Sequence, residues 1–320
     1  MMNTMHVKVT RKTVEAAGIV SLELAALDGA PALPPFSAGA HVDVHLGEKL
    51  VRQYSLCNDQ VEQHRYQIAV LRDPKSRGGS NAVHDTVQVG DVLTISPPRN
   101  HFALVPARRT LLLAGGIGVT PLLCMAERLS RIGAVFELHY CSRSQESTAF
   151  RGRILTSSFA SRVRFHFDDG APQQKLDLAT LLAKPEADTH IYLCGPGGFI
   201  DHVRTTAAGL GWPADQIHLE YFGAAVTAIT DDAAFEVRLA SSGKCYAIPP
   251  GRTVTTVLAE QGIEIPVACE QGVCGTCLTR VLDGLPQHRD VYLTDEERSR
   301  NDQFTPCCSR ALGPTLVLDL

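Results

Sequence analysis

Cys269-Glu270-Gln271-Gly272-Val273-Cys274-Gly275-Thr276-Cys277 is the stretch on which this chain's fold turns, with Cys307 following after 29 further residues. The spacing is C-x4-C-x2-C…C, that of a plant-type [2Fe–2S] site. Such a loop wraps a cluster and places two thiolates on each iron. Gly272 and Gly275 suit that wrapping, because a backbone bent around sulfide needs unusual φ/ψ and inward N–H groups. Thr276 is small enough for close approach. Zinc is a competing reading, but zinc sites favour paired C-x2-C knuckles, and only one C-x2-C is present. A scattered set of buried thiols is another, and it gives no reason for the glycines. Cys307 and Cys308 are adjacent, so spacing alone leaves the fourth ligand open. We assign Cys269, Cys274, Cys277 and Cys307 to iron, with Cys308 as a buried neighbour.

Around this loop, residues 233–320 read as a small separate domain. Segments 235–239 and 244–248 suggest a hairpin, 253–261 a helix and 315–320 a final strand. This region holds 11 Asp/Glu against 8 Lys/Arg, so it carries most of the net charge of −4. Just upstream, 224–232 is small and polar with no core face, and reads as a linker.

Further upstream the pattern is α/β. Residues 110–114, Thr-Leu-Leu-Leu-Ala, form a continuous apolar run, as in a strand buried on both faces. Strand-like and helix-like stretches alternate from there to about Phe222, which implies βαβ units and a parallel sheet. Gly115-Gly116-Ile117-Gly118-Val119-Thr120-Pro121 follows the first strand and opens a helix, the setting of a phosphate-binding turn. The match to G-x-G-x-x-G is imperfect, since Pro121 stands where the third glycine would be, and a turn with no ligand stays open. A second turn, Cys194-Gly195-Pro196-Gly197-Gly198, also ends a strand before a helix. Two such turns place N–H groups at the carboxyl edge of the sheet, where open α/β sheets bind ligands. After the second strand comes Arg143, with no acidic residue beside it. An Arg there points to NADP and an acid to NAD, so Arg143 taken alone tilts towards NADP.

Residues 1–105 read as an antiparallel barrel: short alternating strands separated by Asp28-Gly29, Pro34-Pro35 and Asn58-Asp59. Within it, Arg52-Gln53-Tyr54-Ser55 and Arg77-Gly78-Gly79-Ser80 combine guanidinium, hydroxyl and backbone donors suited to a phosphate. Tyr54 could lie beside a flat ring.

The chain has 320 residues, 44% hydrophobic and 20% charged, ordinary globular usage for two or three domains. The balance of charge speaks against a nucleic-acid protein. The 10 cysteines are unevenly placed, half of them in the last 52 residues. The N-terminus has no apolar segment of the signal-peptide kind, and the longest uncharged run, 110–126, is too short and glycine-rich for a membrane span. The expected compartment is the cytoplasm, where thiols stay reduced. His84, His101 and His288 read as surface or loop residues.

Taken together and in this order, Arg52-x-Tyr54-Ser55, Gly78-Gly79-Ser80, the Gly115–Pro121 turn, Cys194–Gly198 and the cysteine cluster resemble the phthalate dioxygenase reductase family, within the ferredoxin–NADP reductase superfamily. The resemblance covers essentially the whole chain. Residues 269–290 and 304–311 look most like its vanillate O-demethylase reductase branch, and reductases of carnitine and sulfonate oxygenases look similar.

The resemblance implies three domains: an FMN-binding β-barrel (1–105), an NADH-binding α/β domain (106–223) and, after the linker 224–232, a β-grasp [2Fe–2S] ferredoxin domain (233–320). It implies that Arg52, Tyr54 and Ser55 hold the flavin edge and ribityl phosphate, with Ala69 and Val70 along the ring. Gly78, Gly79 and Ser80 would complete the phosphate site. Gly115, Gly116, Gly118, Thr120, Pro121 and Arg143, with Gly195, Pro196 and Gly197, would take NADH. Thr120, Cys194 and Phe222 would lie where nicotinamide meets flavin. The family mostly uses NADH, against the tilt from Arg143. The implied activity is an electron-transfer reductase serving a Rieske-type oxygenase. The alternatives are a stand-alone NADH:acceptor reductase and, from another class, a zinc-stabilised or redox-sensing binding module.

Overall fold

The computed structural model describes residues 4–47, 50–223 and 232–320. The chain divides into two compact units, Met1–Phe222 and Gly223–Leu320. Apart from Asp232, the linker expected at 224–232 lies outside the described residues.

The first unit opens with six antiparallel strands: β1 (Met5–Ala16), β2 (Ile19–Ala26), β3 (His41–His45), β4 (Val51–Ser55), β5 (Tyr66–Leu71) and β6 (Val92–Ile95). Their order is β4-β3-β6-β1-β2-β5. A bridge from Leu56, just past β4, to Ile68 on β5 brings the two edges together, so the sheet curls into a barrel. Inward residues such as Val7, Val9, Leu22, Leu24, Val42 and Val44 are fully buried. The Arg52–Ser55 motif lies on β4 itself. Its alternating side chains were masked by charge at Arg52 and amide at Gln53. Between β5 and β6 lie a single helical turn, α1 (Gly79–Asn81), and a π-helical turn, Ala82–Thr86.

Five parallel strands follow: β7 (Arg109–Gly115), β8 (Val135–Ser142), β9 (Val163–Phe167), β10 (Thr189–Gly195) and β11 (Ile217–Tyr221), in the order β11-β10-β7-β8-β9. The chain runs outward from β7 through β9, then returns to the other side of β7. The switch point is therefore between β7 and β10, where ligands bind in such sheets. The helices are α2 (Val119–Arg131), α3 (Arg151–Leu155), α4 (Leu178–Leu181) and α5 (Gly197–Gly209). Leu111, Leu113 and Ile191 face α5 and Trp212, while Leu112, Ala114 and Tyr192 face α2. A strand sealed on both sides has no polar face, hence the unbroken Leu111-Leu112-Leu113 run.

The α2-side core also takes in Ile19, Ala38, Cys57, Ala69 and Phe102 from the barrel. The Tyr192 hydroxyl donates to Ala103 O at 3.2 Å and accepts from Val105 N at 2.8 Å. Arg153 reaches Cys57 O and Gln67 Oε1, each at 3.1 Å. The two sequence-defined domains of this unit thus share one apolar cluster, while the barrel interior and the α5 side each keep their own.

The second unit is a five-stranded sheet, β13-β12-β18-β14-β16, made of β12 (Phe235–Leu239), β13 (Cys245–Ile248), β14 (Thr279–Asp283), β16 (Gln303–Phe304) and β18 (Thr315–Leu318). The hairpin β12–β13, the parallel pair β12–β18 and helix α6 (Val254–Glu260) make the β-grasp arrangement. Helix α7 (Asp295–Arg300) is closed by a capping box from Thr294 and Glu297. A separate ribbon pairs β15 (Pro286–Gln287) with β17 (Arg310–Ala311). His288 lies in a loop, as expected, with its side chain only 10% exposed. Cys308, expected to be buried, is half-buried, and Cys245 is exposed.

Candidate functional sites

In the second unit the cysteine loop runs between α6 and β14, and Cys307 follows β16. Cys269, Cys274, Cys277 and Cys307 are all buried. Cys269 is in hydrogen-bond contact with Cys274 and Cys307, and Cys307 with Cys277. Among the described residues no three His, Cys, Asp or Glu side chains gather as they do around a single ion. The four thiols form one chain of contacts, Cys274 to Cys269 to Cys307 to Cys277. Backbone N–H groups of Gln271 and Val273 donate to Cys269 Sγ at 3.3 and 3.4 Å, and that of Thr276 to Cys274 Sγ at 3.5 Å. Gly272 has φ 71° and Gly275 φ 68°. A Cβ at Gly272 would stand 2.5 Å from Cys308 Sγ, and one at Gly275 2.2 Å from the Tyr292 ring. Conformation and space both demand glycine, and the inward N–H groups fit a negatively charged cluster. Asp290, which sequence reasoning passed over, is a buried carboxylate that anchors the neighbouring turn. It accepts from Tyr292 N at 3.1 Å and Leu293 N at 2.8 Å. Cys307 contacts Cys269 and Cys277, while Cys308 contacts Cys307, Thr305 and Ser309.

In the first unit, the Arg52 guanidinium donates to Val51 O at 2.8 Å and to Arg77 O at 3.0 Å, which pins it under the Gly78–Gly79 turn. A Cβ on Gly79 would meet Arg52 Cγ at 2.5 Å, and Gly78 has φ 93°. The opening N–H groups of α1 have no acceptor within the helix, so this cradle offers a cation and backbone donors, as a flavin phosphate needs. The Ser80 hydroxyl accepts from Asp73 N at 3.1 Å. Ala69 and Val70 are buried on β5. Burial pushes the Tyr54 phenol up to about 12, with Arg52 opposing.

At the switch point the two glycine turns touch. A Cβ on Gly118 would lie 2.2 Å from Cys194 O, and one on Gly195 2.9 Å from Gly115 Cα. These glycines exist so that two backbones can close on each other. Gly116 is different: nothing lies within 4 Å, but its φ of 55° is the left-handed one. Thr120 is buried and its hydroxyl donates to Ile117 O at 3.1 Å, so it closes the turn. Pro121 is buried in the first turn of α2, and Pro196 precedes Gly197 at the start of α5. Arg143 stands exposed just past β8, and Phe222, just past β11, is 40% exposed.

Glu220 was not singled out by any motif. On β11 it pairs in register with Cys194 on β10, and it accepts the Ser55 hydroxyl at 3.3 Å. Burial raises its carboxyl to about 8, with Ser55 pulling the other way. Burial likewise raises the Cys194 thiol, and Glu220 adds to that. Ser55 from the barrel, Glu220 and Cys194 thus meet beside the paired glycine turns. A single Glu at a strand end fits no motif, so only the fold could find it.

Comparison with known proteins agrees with this geometry. Residues 237–312 match the model of the 2Fe-2S iron-sulfur cluster binding domain. The chain is 54% identical to a vanillate O-demethylase oxidoreductase of Pseudomonas putida, over 98% of each chain. It is 41% identical to the phthalate 4,5-dioxygenase oxygenase reductase subunit of Pseudomonas putida, over 98% of this chain and 96% of that one. A solved phthalate dioxygenase reductase, described as a modular structure for electron transfer from pyridine nucleotides to [2Fe–2S], superposes with a TM-score of 0.77 at 40% identity, covering 99% of this chain and 98% of the other. No described helix is long and apolar enough to cross a membrane. The chain belongs to the phthalate dioxygenase reductase family, oxidoreductases that serve oxygenase systems by passing electrons from pyridine nucleotide to an iron–sulfur cluster.

Proposed function

We propose that this reductase takes electrons from NADH through FMN to its own [2Fe–2S] cluster and hands them to a Rieske-type oxygenase of the demethylase kind. The observation that carries the reading is the Ser55–Glu220 hydrogen bond. It joins the strand expected to edge a flavin to the strand beside the nicotinamide-side turn. Arg52 and the Gly78–Ser80 turn would hold the flavin's phosphate, and Tyr54, Ala69 and Val70 its ring. Gly115–Gly118 and Gly195–Gly197 would admit the dinucleotide backbone, closely apposed because Gly118 and Gly195 have no Cβ at the points where the turns touch. Glu220 and Cys194, both held protonated by burial, give the ring end of the site a neutral lining. When bound, a flavin takes two electrons as hydride and gives them up one at a time. Residues 1–105, 106–223 and 233–320 would then be the flavin, nucleotide and cluster domains.

The purified protein is expected to show flavin and iron–sulfur absorption. In Cys274→Ser, NADH should still reduce the flavin and ferricyanide, while cytochrome c reduction and oxygenase turnover are lost. A colourless protein, or an intact cluster in that variant, overturns the reading. Full NADH:acceptor turnover with no coupling to any Rieske oxygenase would favour a stand-alone reductase.

A further inference from the structure

The turn that follows β15 sits directly behind the cysteine loop. A Cβ on Gly272 would stand 2.8 Å from Asp290 Cα, and one on Gly275 2.2 Å from the Tyr292 ring. Val291 N donates to Gly272 O at 3.0 Å. Gly272 lies between Gln271 and Val273, whose N–H groups donate to Cys269 Sγ. One turn thus backs both glycines, and Asp290 fastens that turn. Its Oδ2 accepts from Tyr292 N and Leu293 N, and its Oδ1 accepts from the Ser309 hydroxyl at 3.4 Å. Arg298 on α7 donates to Asp290 O, and its guanidinium stands 3.9 Å from Asp290 Oδ2. The other arm of that guanidinium is 3.5 Å from exposed Asp295. Arg289, next to Asp290 in the chain, turns instead to Asp232 and Gln287, at 2.7 Å each. The His288 ring is 3.7 Å from Asp290 Oδ1, too far for a hydrogen bond. Carboxylate and guanidinium differ in their access to water. The Asp290 side chain is wholly buried, whereas that of Arg298 is 32% exposed. A buried charge is screened much less than one shared with solvent, so the negative member of the pair dominates behind the loop.

We infer that the Asp290 carboxylate keeps the reduction potential of the [2Fe–2S] cluster low, with Arg298 as its partial counterweight. This goes beyond the electron path proposed above and rests on that path only in needing the cluster to be bound. Reduction adds one electron to the cluster, and a fixed negative charge behind its loop opposes that addition. Net charge and hydrogen bonds to sulfur are the levers by which a protein sets such a potential. Asp290 works on the first directly and steadies the second through Gly272. A lower potential makes the cluster a better donor to whatever it serves, at the expense of its pull on electrons arriving from the flavin.

The test is a potentiometric titration of the full-length holoprotein, with the reduced cluster followed by its electron paramagnetic resonance signal. Asp290→Asn removes the charge and keeps the turn: one amide oxygen can accept from both Tyr292 N and Leu293 N, and the Ser309 hydroxyl can accept from the amide N–H. At a fixed poise its ratio of reduced to oxidised cluster should rise about tenfold, which is ~59 mV for a one-electron couple. Arg298→Gln leaves the carboxylate without its cation, so its ratio should fall, by roughly twofold or more. Opposite signs are the signature of charge, because a merely loosened turn would move both variants the same way. An Asp290→Asn ratio that falls or stays within twofold of the wild type overturns the inference, as does a shift of the same sign in both variants. If Asp290→Asn holds no cluster, Arg298→Gln decides alone, and a ratio that does not fall overturns the inference. A wild type that binds no cluster would instead overturn the functional reading, and this inference with it.

Discussion

A carboxylic acid held in poorly solvated surroundings is a pH-dependent load on the fold, and half-buried Glu220 is the clearest case. It titrates near 8 in the folded protein against an ordinary value of 4.5. Between those values the native state keeps a proton that the unfolded chain has released. Its contribution to stability is full below about 4.5 and is lost as pH rises through about 8. Glu220→Gln has no such titration. Its Tm should therefore gain on the wild type's from about pH 5 to about pH 8.5, and parallel Tm profiles would refute the assignment. In the other unit, Asp290→Ala leaves two backbone N–H groups without their acceptor. It should cost roughly 1–3 kcal/mol in chemical denaturation of the cluster domain. The contrast between these residues explains what sequence can show. Cys269, Cys274 and Cys277 lie within nine positions, and metal chemistry fixes their spacing. Glu220 gains its role from Ser55, 165 residues away, and no local pattern can encode that.

Elements follow the same logic. β7 was legible because burial on both faces leaves an unbroken apolar run. β4 and β11 were not, since each is half-exposed and carries charged or polar residues between apolar ones. The glycine turns were legible as turns, but not the reason for each glycine. Gly118→Ala drives a Cβ to 2.2 Å from Cys194 O. The backbone of β10 cannot yield there, so the cost should be several kcal/mol, about 3 or more, with loss of nucleotide binding. Gly116→Ala meets open space and only the left-handed conformation, so roughly 1–2 kcal/mol is expected. Urea unfolding of both variants checks the order, and equal costs would show that the two turns are not in contact.

For the whole molecule, the division falls at Phe222 and Gly223. A fragment comprising Gly223–Leu320 should fold alone and take up a cluster, seen by its visible absorption. Met1–Phe222 should keep NADH:ferricyanide activity. A cluster-free, unfolded second fragment would refute the division. The three-domain organisation was legible from periodicity and cofactor motifs, because each domain has its own strand pattern. The intimacy of the first two was hidden, because it resides in Cys57, Phe102, Met125 and Tyr192, residues that look like any other core.

That shared core bears on how such reductases can be recombined. A Cβ on Gly39 would strike Phe102 O at 2.0 Å and Met125 Cε at 3.1 Å. Gly39 and Phe102 of the barrel domain and Met125 of α2 are therefore packed with no room for one more carbon at Gly39. A chimera that exchanged residues 1–105 between relatives would pair surfaces shaped for different partners, although each segment looks like a module on paper. The two units Met1–Phe222 and Gly223–Leu320 are each compact by themselves. The units in which this chain can be inherited, swapped or engineered are thus fewer than the cofactors its family is built around.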